Sequence, residues 1–263
     1  MNQTERRRFL IKHLLSEQKD CPDTKIPDDE EEQKLLLRAL MNVRLPKPIS
    51  HTFLKIQDEY LTERKIEKGV VTLDSLIFHG LNGILQNQIA VWQGDITCIA
   101  TDAIVNAANS GMTGCYGANH ACIDNAIHTY AGIQLRLECA ELMKRQGYEE
   151  PTGDAKITAA YNLPSKYVIH TVGPIVQGKL ETRHIVALKS CYKKCLEAAV
   201  KNNCTSIAFC CISTGVFMFP NEKAAEIAVN TVKDFLLETK SAIKVVFNVF
   251  KEKDFEIYER MCK

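Results

Sequence analysis

Three residues that bind soft metals fall within one short run of this chain. Cys115, His120 and Cys122 lie in G-C-Y-G-A-N-H-A-C-I-D-N-A-I-H, residues 114–128. The spacing Cys-x4-His-x-Cys offers two thiolates and an imidazole from a single loop, a donor set suited to Zn²⁺. No fourth ligand stands beside them in the run. Structural zinc is normally closed by four protein ligands, whereas three leave a position for water or substrate. The competing reading is plain packing: in a chain with eleven cysteines, two of them near a histidine can be small buried residues. Asp124 follows the loop directly, and Asn109 closes N-A-A-N just before it. As a short acceptor before a helical pattern over 125–140, Asp124 also has the makings of an N-cap.

Five further motifs surround the loop. Upstream are I-A-V-W-Q-G-D-I-T at 89–97 and T-D-A-I-V-N-A-A-N-S at 101–110; downstream are T-G-D-A-K at 152–156, Y-V-I-H-T-V-G-P at 167–174 and I-S-T-G-V-F-M-F-P at 212–220. In that order, and across nearly all of residues 89–235, they resemble the macrodomain family of ADP-ribose-binding modules. The family's usual glycine-rich stretch after N-A-A-N is replaced here by the Cys/His loop. That departure resembles the zinc-dependent bacterial subgroup of protein-ADP-ribose hydrolases, which also carries a long N-terminal extension.

The resemblance implies roles. Asp95 would accept a hydrogen bond from the adenine amino group, assisted by the Ile96 backbone. Ser213, Thr214, Gly215, Val216 and Phe217 lie between a strand and a helix, where backbone N–H groups can hold a diphosphate. Phe217 would pack on a ribose. Asn109 would fix the ribose that carries the reaction, with Asn106 tying the loop to itself through an Asx-type bond. Asp124 would orient the attacking water or accept its proton. Zinc would polarise a ribose hydroxyl or generate bound hydroxide. His128, four residues after Asp124, reads as packing or as support for the site, and His170 as a satisfied core histidine.

The implied activity is therefore removal of mono-ADP-ribose from modified proteins. The subgroup's association with mono-ADP-ribosylation written by a sirtuin-like enzyme makes a lipoyl-carrier protein the partner to test first. Two other classes fit the nucleotide motifs: a reader that binds ADP-ribose without cleaving it, and a hydrolase of a small ADP-ribose metabolite. The metal loop favours a protein hydrolase over the reader, which has no use for it.

Composition bounds the rest. Lys plus Arg number 33 against 32 for Asp plus Glu, so no global field selects nucleic acid or an anionic membrane. No stretch approaches the roughly 18 to 20 apolar residues that span a bilayer. Cysteines as frequent as these, including the adjacent Cys210 and Cys211, read as reduced thiols plus metal ligands, which implies a cytoplasmic address. A monomer is expected.

Elements that would position the site follow from periodicity. Residues 1–69 read as an all-helical extension: one amphipathic helix with Thr4 as N-cap, a second over 28–43 capped by Asp28, and a third opened by Ser50 and closed near Gly69. Residues 70–263 read as the macrodomain. Short aliphatic runs at 103–107, 167–172, 206–212 and 244–249 alternate with helical spacing at 186–202 and 222–239. The predicted fold is a three-layer α/β/α sandwich on a mixed, mostly parallel sheet, with ligands beyond the carboxyl ends of the strands.

Overall fold

The computed structural model describes residues 1–18, 25–81 and 84–262. The extension consists of helices α1 (Gln3–Ser16), α2 (Glu30–Val43) and α3 (His51–Lys68). Their caps follow the expected chemistry with two shifts. Asn2, not Thr4, opens α1: its side chain accepts from the Glu5 amide at 2.9 Å while Glu5 returns the bond to the Asn2 amide, a reciprocal capping box. Asp29, not Asp28, opens α2, because the capping oxygen must stand three residues before the amide it serves, here Glu32. Ser50 caps α3 as expected, and Gly69 at φ +84° ends it.

Leu10, Ile11 and Leu14 of α1, Leu37, Leu40 and Met41 of α2, and Phe53, Tyr60 and Leu61 of α3 form their own apolar cluster, which also takes in Ile133 beyond the extension. Burying a side chain of this size contributes about 1.5 to 3 kcal/mol, so the cluster anchors the three helices on the rest of the molecule.

After a short parallel pair of β1 (Val71–Thr72) with β4 (Ile99–Ala100), the body is built on seven strands. These are β2 (His79–Leu81), β3 (Ile84–Gln93), β5 (Ala103–Ala108), β6 (Ala155–Ala159), β7 (Tyr167–Val172), β8 (Ser206–Phe209) and β9 (Lys244–Val249), in the order β2-β3-β9-β8-β5-β7-β6. The strands β3, β9, β8, β5 and β7 are parallel, and the edges β2 and β6 run antiparallel to them. Ile104, Val105, Val168, Ile169, Ile207, Val245 and Val246 are fully buried, as the strands of a sheet covered on both faces must be. Cys210 and Ile212 stay buried after the ladder has ended at Phe209, so the apolar run over 206–212 overstates that strand.

Helices α4 (Ile123–Ala131) and α5 (Ile133–Gln146) pack together against β5 and β6, while α6 (Thr182–Lys201), α7 (Asn221–Thr239) and α8 (Glu252–Cys262) pack side by side as the other layer. The helix expected over 125–140 is in fact these two helices. Gly132 divides them at φ +98°, and a Cβ there would stand 2.6 Å from the Gln57 amide of the extension. Because the central strands are parallel, the chain leaves β3, β5, β7, β8 and β9 at one common edge. Every motif singled out in the sequence for ligand or metal sits beyond that edge or in the loop between β5 and α4.

Candidate active site

The loop from β5 to α4 brings Cys115, His120 and Cys122 together. Their ligand atoms all lie within 4.8 Å of one another, and Cys115 Sγ is 3.5 Å from His120 Nδ1. Donors around one tetrahedral zinc stand roughly 3.5 to 3.8 Å apart, given Zn–S and Zn–N bonds of about 2.3 and 2.0 Å, so the set fits the ion with little movement. Both thiols already receive backbone N–H groups, Cys115 from Gly117 and Cys122 from Asn125, each at 3.4 Å. Cys122 is thereby the N-cap of α4, and Asp124 is not. Asp124 falls in the first turn of that helix, two positions past the cap. Burial pushes the Cys122 thiol up to about 11 against the pull of the Asn125 amide, and the neighbouring Cys115 adds to the rise. A cation reverses that balance by favouring the thiolates.

The loop is braced from two sides. Gly114 has φ +86°, and a Cβ there would meet the His128 ring at 2.8 Å, so only glycine lets the backbone pass. From the extension, Arg38 donates to the His120 carbonyl at 3.1 Å and to Asn125 Oδ1 at 2.8 Å, while Asn42 Oδ1 accepts from the Asn119 amide at 3.1 Å. Arg136 of α5 donates to the Met41, Asn42 and Arg44 carbonyls at the end of α2 and reaches the Cys115 carbonyl at 3.3 Å. Its guanidinium also lies 4.4 Å from the centre of the Tyr116 ring.

Beneath the loop, Asp124 is 5% exposed and held by both asparagines of N-A-A-N. Asn106 Nδ2 donates to Oδ1 at 2.7 Å and Asn109 Nδ2 to Oδ2 at 3.3 Å. Burial raises the Asp124 carboxyl to about 6, partly offset by the Asn106 bond and the Arg136 charge. The Asx-type bond expected of Asn106 belongs to Asn109 instead, whose Oδ1 accepts from the Gly111 amide at 3.0 Å. Asn106, fully buried, has no loop amide within reach and turns toward Asp124 and His170. His170 is the satisfied core histidine anticipated: Nδ1 faces Asn106 at 3.1 Å and Nε2 faces Thr158 Oγ1 at 3.0 Å. Burial lowers it to about 3. His128 is buried beside Asp124, 3.5 Å from Oδ1, and burial and the nearby His170 hold it well below its ordinary value. Cys139 joins these two histidines in a buried group, 3.8 Å from His170 Nε2.

Farther along the same edge, Asp95 follows β3. It caps the short turn that starts at the buried Ile96, its Oδ1 accepting from the Thr97 amide at 2.9 Å and the Thr97 hydroxyl at 2.7 Å. Its Oδ2 takes Lys68 Nζ at 2.7 Å. Burial works to raise this carboxyl, and the bonds and charge of Lys68, with the bonds from Thr97, outweigh it and leave it below the ordinary value. The segment after β8 turns sharply. Ser213 has φ +66° and Met218 φ +56°, conformations that non-glycine residues adopt at a cost of about 1 to 3 kcal/mol and that cluster at ligand clamps. The Ser213 hydroxyl is buried without a hydrogen-bond partner among the described residues. Thr214 bonds the Cys211 carbonyl at 3.0 Å, and Gly215 and Val216 are exposed. Phe217 is half-buried, and its carbonyl accepts from the Val176 amide at 2.9 Å, which ties this segment to the one after β7.

The structure thus gathers Cys115, His120 and Cys122 into one cluster and joins Asn109 to Asp124. Asp95 and the Ser213–Phe217 segment flank the end of β9 at the same edge. Sequence reading missed Arg38, Asn42, Lys68 and Arg136. Each is a polar residue on a helix whose local pattern announces only an exposed face, and no spacing links it to the loops it holds.

Comparison with known proteins places this arrangement. The family model described as Macro domain matches residues 105–228. The chain is similar to a protein-ADP-ribose hydrolase of Treponema medium, 56% identical over 261 residues with 99% of each chain covered. It is also similar to a protein-ADP-ribose hydrolase of Staphylococcus aureus strain MSSA476, 47% identical over 252 residues, with 95% of this chain and 92% of that one covered. Among solved structures, a Trypanosoma brucei macrodomain in complex with ADP-ribose aligns with a TM-score of 0.66 at 31% identity, covering 85% of this chain and 94% of that one.

Proposed function

This chain belongs to the macrodomain family, and on that premise we propose that it is a zinc-dependent hydrolase that removes mono-ADP-ribose from modified proteins. The hydrolase activity is that of relatives matched along nearly their whole length. The observation that carries the zinc-dependent reading is the convergence of Cys115, His120 and Cys122 directly above a buried Asp124 held by Asn106 and Asn109. A pure reader of ADP-ribose has no use for three soft ligands beside a carboxylate of raised pKa.

Bound at Cys115, His120 and Cys122, zinc would supply a Lewis acid next to the reacting ribose. The chain's own residues do the rest. With its pKa near 6, Asp124 is ionised at neutral pH yet basic enough to take a proton from a water or hydroxyl placed beside it. One hydrogen bond to each of its oxygens fixes the carboxylate plane and leaves each oxygen an acceptor position. Asn109 sets the distance between this carboxylate and the metal loop through its bonds to Gly114 O and Asp124 Oδ2, and is the residue we assign to the ribose. Asp95 and the Ile96 backbone would read the adenine. Ser213, Thr214, Gly215 and Val216 would hold the diphosphate, with Phe217 against a ribose.

The same reading gives a cytoplasmic protein, in keeping with described cysteines that form no disulfide, and a lipoyl-carrier protein as first candidate substrate. The test is release of ADP-ribose from a mono-ADP-ribosylated carrier, with zinc quantified in the purified protein. Chelation should abolish release and zinc should restore it; full activity after verified zinc removal defeats the metal's role.

A further inference from the structure

We infer that Lys68, the last residue of α3 in the helical extension, is a positioning residue of the nucleotide site that fixes the plane and charge of Asp95. The inference rests on the assignment of Asp95 to adenine. Lys68 Nζ lies 2.7 Å from Asp95 Oδ2 and 2.7 Å from Thr97 Oγ1, and 3.4 Å from the centre of the Tyr130 ring on α4. An ammonium with two donors engaged and an aromatic face beneath it has one place to be. Gly69 ends α3 immediately after it, so the side chain leaves from the helix C-terminus, where a cation is favoured.

The consequence falls on Asp95. Oδ1 is already occupied by the amide and hydroxyl of Thr97 and Oδ2 by Lys68, so three donors from two directions prevent rotation of the carboxylate. The side chain remains 38% exposed, which leaves acceptor room on the outer side. A carboxylate fixed in this way and kept ionised accepts from an exocyclic amino group and opposes a carbonyl oxygen, since an acceptor against an acceptor goes unpaired. Lys68 therefore sharpens the choice of a 6-amino over a 6-oxo purine. The extension, through this one residue, completes the site.

The experiment is titration calorimetry of the full-length, zinc-loaded protein with ADP-ribose and with its hypoxanthine counterpart, inosine diphosphate ribose. The parental protein, Lys68→Met, Lys68→Arg and Asp95→Ala are compared, with thermal melts confirming that each is folded. Lys68→Met should bind ADP-ribose about fivefold more weakly, the worth of one hydrogen bond, and its preference for adenine over hypoxanthine should narrow; Lys68→Arg should restore most of both. An equal loss for both nucleotides would reduce Lys68 to packing and overturn the inference, as would no loss at all. If Asp95→Ala abolishes the preference while Lys68→Met keeps it, the inference fails and the adenine assignment stands. If Asp95→Ala changes neither affinity nor preference, the assignment itself has failed.

Discussion

Asn106 and Asp124, eighteen positions apart, are joined by a 2.7 Å hydrogen bond inside the protein. The first sits on β5 and the second in the first turn of α4, so the bond ties the sheet to the helix that follows the Cys115–Cys122 loop. It satisfies one oxygen of a carboxylate that is only 5% exposed. Replacing Asn106 with Ala should therefore cost stability as well as activity: a buried hydrogen bond to a charged group is worth about 1.5 to 3 kcal/mol. The melting temperature should fall by several degrees and single-turnover release of ADP-ribose should slow. A variant with parental melting temperature and rate would show that Asp124 is held without it.

Asp95 should matter to nucleotide binding and not to the metal. Asp95→Ala removes the proposed acceptor for the adenine amino group, which should weaken ADP-ribose by about 1.5 to 3 kcal/mol while zinc content stays that of the parent. Calorimetry together with metal analysis checks both halves. An unchanged affinity refutes the adenine assignment.

Much of this site was legible in the sequence because its parts are local. The proposed metal ligands fall within eight residues and the asparagines within four, so a loop alone can bring each set together. Four central strands were legible because burial on both faces leaves continuous aliphatic runs. Illegible were the contacts made across long separations. Arg38 reaches His120 over 82 positions and Lys68 reaches Asp95 over 27, and nothing in either helix's own pattern marks the contact. The division of α4 from α5 at Gly132 was hidden for the same reason: the apolar spacing runs on through it, and Gln57 and Asn162, two of the side chains that crowd the glycine, are distant in sequence.

The buried histidines should set the acid limit of stability. Burial depresses His170 to about 3, so between about pH 6.5 and 3 the unfolded chain takes up a proton that the folded chain refuses. Stability from this group is full above the unfolded value and is lost as pH falls, by up to about 1.4 kcal/mol per pH unit. Asp124, raised to about 6, acts in the opposite sense over part of that range, and its effect is common to parent and variant. His170→Gln, which can keep bonds to Asn106 and Thr158, should therefore show a shallower fall of melting temperature between pH 6.5 and 4 than the parent. Parallel curves would mean that His170 titrates alike in both states.

The sharpest separation of zinc-dependent from metal-free hydrolysis lies in Cys122. Its thiol is one of the three proposed metal donors and also the N-cap of α4, so Cys122→Ala should strip or loosen zinc and cost about 1 kcal/mol from the lost cap. Cys122→Ser separates the two effects, since a hydroxyl caps a helix well and is a poor zinc ligand. The residues assigned to adenine and diphosphate lie on other loops. Both variants should therefore bind free ADP-ribose within about tenfold of the parent, a change of about 1.4 kcal/mol. Hydrolysis should fall much further, because a lost Lewis acid removes several kcal/mol of transition-state stabilisation. If folded, zinc-free Cys122→Ser protein releases ADP-ribose from a mono-ADP-ribosylated protein at the parental rate, the metal has no part in the chemistry, and Asn109 and Asp124 carry the reaction by themselves.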